Sequence, residues 1–303
     1  AKKGYQLWAE RFDRTTGDLF AVQDEIAHRL VEAMSITLSE EEHRRLAHRY
    51  TSNVEAYDLF LRGQEAYVRL NPAENVRAQE LFRRAIALDP KFARAYGALA
   101  LTHTDDWRLG WSENAERGAD EALRLARRAV ELDNELPQAY WALGFVHIFR
   151  GEHVDAIRAA ERAIALDPNN TDAYVTLAIS TAYAGDPERS IALMRTAMEM
   201  NPHYGARYPS VLGLSYYQAG KYLEAVAILL DAITRNTQRI PPRLYLTAAY
   251  LNIEQKAEAD WQVTEVLTIK PDFTLDKLER LVPYGDPKKL EAFRTLLQQA
   301  GLN

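Results

Sequence analysis

Cysteine is absent from this sequence of 303 residues. That excludes disulfides, thiolate nucleophiles and cysteine-ligated zinc together, and it suits a reducing, cytoplasmic setting. Glycine and proline are sparse, at 14 and 12 residues, so collagen-like and low-complexity chains are excluded. No stretch approaches the roughly 18 uninterrupted apolar residues of a membrane span, and no membrane partner is expected. A dense basic stripe is also missing. The 37 Lys and Arg are spread along the chain against 43 Asp and Glu, for a net charge of −6, and nucleic acid is not an expected partner. The opening Ala1-Lys2-Lys3-Gly4-Tyr5 has neither an initiator methionine nor an apolar run behind it. It reads as a piece of a longer polypeptide rather than a signal peptide.

Catalytic motifs are lacking too. Gly-x-Ser-x-Gly, Gly-x-x-x-x-Gly-Lys-Ser/Thr, Gly-x-Gly-x-x-Gly and His-Glu-x-x-His do not occur. The seven histidines are not spaced to put two imidazoles on one helical face; His43 and His48 miss, as do His147 and His153. They read as exposed or hydrogen-bonded structural residues. No catalytic residue, cofactor or metal site is therefore expected. One local composition suggests a carbohydrate or cation site, Asp105-Asp106 beside Trp107 and Trp111. The plainer reading is a solvated loop whose acids cap the next turn.

What is present is a repeated phrase. Ala85-Ile-Ala-Leu-Asp-Pro90 returns as Ala129-Val-Glu-Leu-Asp-Asn134, Ala163-Ile-Ala-Leu-Asp-Pro168 and Ala197-Met-Glu-Met-Asn-Pro202, with weaker copies from Ala232 and Val266. Starts at 85, 129, 163, 197, 232 and 266 are separated by 44, 34, 34, 35 and 34 residues. Within the best copy, Gly144, Ala156 and Ala163 are small enough for two antiparallel helices to approach, and Leu143 fills their seam. Pro168 stops the second helix, and Asn170 or Thr171 can cap the next.

That period, with Tyr140, Leu143, Gly144, Gly151, Ala156, Ala163 and Pro168 in order, resembles the tetratricopeptide family. The resemblance covers residues 56–273, or 218 of 303. It implies an all-α, right-handed solenoid of about six helix-turn-helix repeats: 56–92, 93–136, 137–170, 171–204, 206–239 and 240–273. Domain bounds are then a leader over 1–53, repeats over 54–273 and capping helices over 274–303. The second repeat carries about ten extra residues between its helices, around 105–111.

In the leader, Tyr5–Phe12 alternates like a strand, and Asp18–Met34 places Leu19, Val22, Ile26, Leu30 and Met34 on one helical face. A lone strand needs a missing sheet, a neighbour, or the same strand of a second copy in a homodimer. Ser39-Glu-Glu-Glu42 and Ser52-Asn-Val-Glu55 read as capping boxes. Leu7–Arg14, Asp18–Ile26, Asn53–Gly63 and Tyr284–Phe293 with Gln299–Leu302 resemble bacterial proteins in which a tetratricopeptide array follows a TolB-like domain. Such arrays often stand behind a nucleotide cyclase or a winged-helix output domain. At the far end, Leu290, Phe293, Leu296 and Leu297 form the apolar stripe of a helix from Pro287 that shields the last repeat.

Family geometry then implies a concave groove lined by Trp141, Phe145, Ile148, Phe149, Val175, Ile179, Tyr183, Leu214 and Tyr217. The position that carries asparagine in carboxylate-clamp relatives holds Gln64, Leu101, Phe145, Ile179, Leu214 and Ala248 here, so such a clamp is not expected. An apolar groove takes a peptide, a helix or another domain of the same polypeptide, or is closed by superhelical curvature. The expectation is a non-catalytic protein-interaction or regulatory module of a bacterial signalling protein. Its rivals are the non-catalytic arm of a nucleotide cyclase and a self-association scaffold.

Overall fold

The structure, a computed structural model, describes residues 19–34, 37–40, 42–43, 49–111, 117–276 and 278–303. The expected strand Tyr5–Phe12 lies outside them. Among the described residues all regular structure is helical. After α1 (Leu19–Ala33) the helices run as hairpins: α2 (Val54–Tyr67) with α3 (Pro72–Leu88), α4 (Ala93–Leu109) with α5 (Gly118–Leu132), α6 (Pro137–Phe149) with α7 (His153–Leu166), α8 (Thr171–Ala184) with α9 (Pro187–Met200), α10 (Arg207–Gln218) with α11 (Tyr222–Arg235), and α12 (Ile240–Asn252) with α13 (Lys256–Ile269). Each first helix also packs beside the next first helix, so α2, α4, α6, α8, α10 and α12 form one inner wall. This is an all-helical solenoid.

The repeated phrase is the punctuation of that array. Asp89, Asp133, Asp167, Asn201, Asn236 and Lys270 all end a second helix, and each donates its N–H back to the residue that opens the phrase, from Ala85 to Val266. At Asp89, Asp133, Asp167 and Asn236 the side chain then accepts from the backbone two residues on, at 3.0–3.1 Å. Such a turn reverses the chain in a few residues because the short polar side chain stands in for a backbone acceptor. Asn71, Asn170 and Asp186 cap the helices that follow them. In the leader, Ser39 and Glu42 form the reciprocal capping bonds. At the first hairpin the cap falls one residue later than expected, on Asn53, whose Oδ1 accepts from Ala56 at 3.0 Å.

The apolar stripe expected on α1 is not closed. Leu30 and Met34 are exposed, and the contact to the array comes from Phe20, whose ring lies 5.5 Å from that of Tyr57. The insertion in the second repeat also differs from expectation. Asp105, Asp106 and Trp107 sit within α4, which runs on to a left-handed C-cap at Gly110, φ 62°. Part of the extra chain lengthens the helix, and Asp105 is buried rather than solvated.

Helix seams depend on small side chains. A β-carbon on Gly144 would come 3.2 Å from Thr176 Cγ2 and 3.3 Å from the Ala156 carbonyl, and Ala156 and Ala163 are fully buried. Gly144→Leu is expected to destabilise the array by about 1–3 kcal/mol, because overpacking displaces neighbouring backbone. Urea melts followed by circular dichroism measure this; an unchanged midpoint would mean the seam lies elsewhere.

Candidate functional site

The inner wall does not face open solvent. Beyond α13 the chain turns through α14 (Leu278–Leu281), which packs on α4, and ends in α15 (Pro287–Gln299), which packs on α12. In crossing from one to the other it lies over the aromatic residues of the wall. Tyr284 meets Tyr183 edge-on at 5.6 Å, and Phe293 sits 5.5 Å from Tyr217 and 4.9 Å from Tyr245. The Gly285 N–H donates to the Tyr183 carbonyl at 2.9 Å. At the other end of the crossing, Arg280 lies over the Trp107 ring at 5.4 Å. Dispersion and apolar burial hold most of the segment, since among the described residues the backbone–backbone bond between its centre and the wall is that of Gly285.

All nine residues expected to line the groove fall in one apolar cluster together with Leu275, Leu278, Val282, Phe293 and Leu297 of this closing segment. Phe145, Ile148, Phe149, Val175, Ile179, Tyr183 and Leu214 are buried, while Trp141 and Tyr217 are half-buried. Phe145, Phe149, Ile179, Tyr183 and Leu214 line a central cavity of about 130 Å³; the other four do not. The stripe is thus enclosed in the free chain, by curvature and by the chain's own carboxyl-terminal segment together.

That cavity is not wholly apolar. Asp105, the one acid among its described lining residues, accepts from the Tyr67 hydroxyl at 2.7 Å and from Arg108 Nε at 2.5 Å. Burial, with the adjoining carboxylate, holds the Tyr67 hydroxyl well above the usual phenol range. Arg108 also lies over the Phe149 ring at 4.7 Å, and Arg207 over Phe145 at 4.9 Å. Arg239 completes the charged set. Sequence reasoning singled out Asp105, as a loop acid, and missed Tyr67, Arg108, Arg207 and Arg239. Their one available signal was two arginines, Arg207 and Arg239, at the openings of consecutive first helices.

His153 belongs to the same region, although it was expected to be an ordinary exposed or hydrogen-bonded histidine. It is buried, its ring 6.1 Å from that of Tyr183. A β-carbon on Gly285 would come within 3.2 Å of it, which places the imidazole under the closing segment. Burial pushes its pKa below 6.5, opposed by the Pro283 carbonyl. His103 is lowered likewise, by burial and then by Arg83. A folded-state value below the unfolded one means that the stabilising contribution is present above about pH 6.5 and is lost as pH falls through that value toward the folded one. The melting midpoint is expected to drop between about pH 7.5 and 5.5. His153→Gln should flatten that slope, and an identical slope in the variant would remove His153 as its source. His147, by contrast, is tied through Nδ1 to Glu152 at 2.5 Å.

Residues 137–170 and 175–242 match two tetratricopeptide repeat family models. A relative from Rhizobium meliloti (strain 1021), named putative adenylate cyclase 3, is 34% identical over 123 residues. The match covers 41% of this chain and about a fifth, 21%, of the relative's length. Among solved structures, the Cut9–Hcn1 hetero-tetramer of the APC/C superposes with a TM-score of 0.58 at 17% identity, covering 94% of this chain and 54% of that one. PilW, a type IV pilus biogenesis factor, gives 0.51 at 14% identity over 69% of this chain and 90% of its own. At these identities the superpositions show the fold. Hairpin register, recurrent turn and matched models agree: the chain carries tetratricopeptide repeats, matched over residues 137–170 and 175–242.

Proposed function

We propose that this chain is a non-catalytic protein-interaction and regulatory module of a bacterial signalling protein. In this reading six repeats over 54–273 are capped by the helices of 274–303. Tetratricopeptide proteins generally bind peptide or protein partners, and the fold is generally non-catalytic. The observation that carries the reading is the closing segment. Leu281, Tyr284 and Phe293 occupy an aromatic wall that a partner helix could occupy in their place. Partner binding is then an exchange: the segment leaves, and the partner takes over Tyr183, Tyr217 and Tyr245.

The test uses Phe293→Ala to weaken the segment and a synthetic peptide of residues 278–299 as competitor. Capture from a lysate of the source organism is expected to rise for the variant and to fall when the peptide is added. Equal capture by both proteins, untouched by the peptide, would retire the exchange. A second reading rests on the relative named an adenylate cyclase. There the partner is a cyclase domain of the same polypeptide. Cyclase activity of the full-length protein, measured with and without residues 54–303, separates the two.

A further inference from the structure

The cavity at the centre of the array holds more positive charge than it neutralises. Three guanidinium groups line it, Arg108, Arg207 and Arg239, against the single carboxylate of Asp105. Asp105 is spoken for, since it accepts from Arg108 and from Tyr67. Arg207 Nη2 and Arg239 Nε are both enclosed and make no hydrogen bond to the protein. The two side chains are half-buried as a whole, but an enclosed guanidinium N–H without an acceptor costs free energy, and two such groups on one pocket add to that cost. The imbalance is felt at Arg239, whose pKa is lowered to about 10, first by burial and then by the charges of Arg108 and Arg207.

We infer that this cavity is a binding site for a phosphate group, either the free ion or the phosphoryl end of a small molecule. A phosphate dianion matches the two unneutralised guanidinium groups in charge. Its oxygens can accept from both forks at once, which a single carboxylate with one negative charge cannot balance. Size argues the same way. At about 130 Å³ the space suits a ligand of a few heavy atoms, being close to the roughly 150 Å³ of an engineered cavity that holds benzene. Ser210 and Pro242, in the first turns of α10 and α12, also line it. Phe145, Phe149, Tyr183 and Tyr245 stand among the other lining residues, and their rings would receive a small organic remainder. Because Arg108 belongs to α4 and Arg207 and Arg239 to the far end of the array, a bound phosphate would tie distant repeats together. The site shares Leu281, Tyr183 and Tyr245 with the wall that a partner would take over, while its arginines lie outside that exchange.

Calorimetric titration of the full chain in phosphate-free buffer at fixed ionic strength tests this. Inorganic phosphate and phenyl phosphate are the probes; succinate and a short Asp/Glu peptide are the competitors. One-to-one binding of the phosphate probes is expected, weakened at least tenfold by Arg207→Gln and by Arg239→Gln and unchanged by Arg127→Gln on an exposed face. Tighter binding of phenyl phosphate than of inorganic phosphate would assign a phosphomonoester, and the reverse the free ion. The proposal is overturned by no saturable binding, by binding that both variants retain, or by tighter binding of succinate or the acidic peptide. Should either variant fail to fold, arsenate diffused into crystals of the unaltered chain decides: an anomalous peak at Arg207 and Arg239 supports the site, and its absence removes it.

Discussion

Tyr183→Asp should destabilise the chain by about 3–5 kcal/mol, the range for an uncompensated buried charge. Tyr183 is 5% exposed, with Tyr284 against its ring and its hydroxyl 3.3 Å from that of Tyr245. Truncation opens a hole between wall and closing segment, and the carboxylate enters an aromatic environment in which Arg108, the cation felt by Tyr183, is already held by Asp105. Phe145→Asp is expected to cost less at nearly equal burial, because Arg207 lies 4.9 Å from that ring and can neutralise the new charge. Val154→Asp, at a site 63% exposed on α7, should stay within about 0.5 kcal/mol. Urea melts of the three variants measure the order. If Tyr183→Asp melts like Val154→Asp, the wall is open in solution and the closing segment does not cover it.

The parts of this fold that are local were legible in the sequence. Ala163-Ile-Ala-Leu-Asp-Pro168 announces a helix end because the aspartate turn and the proline act within a few residues of themselves. Gly144 announces a close seam for a similar reason: Ala156 and Ala159 lie against it from the adjoining helix of its hairpin, although Thr176 of the next hairpin comes as near. The site was legible only in its apolar half. The geometry implied by the family resemblance put Phe145, Ile179, Tyr183 and Leu214 in the groove, and these residues line the cavity. Arg108 and Arg239 are separated by more than a hundred residues, and their meeting depends on rotations summed over every intervening repeat. No local pattern encodes that sum. Asp105 was misread because acids and tryptophans beside an insertion have the composition of a loop, whereas tertiary pairing with Tyr67 and Arg108 keeps that stretch helical. The amphipathic stripe of α15 was visible, but a stripe specifies an apolar surface and not which surface.

Phe293→Ala removes the ring that anchors the closing segment, and its expected cost is bounded in an informative way. The ring is 1% exposed and touches Tyr217, Tyr245 and Tyr284. Truncating such a phenylalanine costs about 3–5 kcal/mol when the surroundings cannot relax. Here they can, because the residue lies on a segment whose Leu275 and Asn303 are tied to each other at 2.7 Å, so that it can detach as a unit. Its loss is therefore limited to the free energy with which the segment docks. Hydrogen exchange distinguishes the cases. If docking is worth less than the truncation, amides of α15 should lose protection in the variant while those of α6 and α8 keep theirs, and melts should show an early transition before the array unfolds. If protection falls equally from α6 to α15, segment and array fold as one body, and a partner could reach Tyr183 and Tyr245 only by unfolding the repeats. Selective loss is the expected result, since among the described residues the backbone bond between the segment's centre and the wall is that of the Gly285 N–H to the Tyr183 carbonyl, while the two helices of each hairpin pack closely on one another.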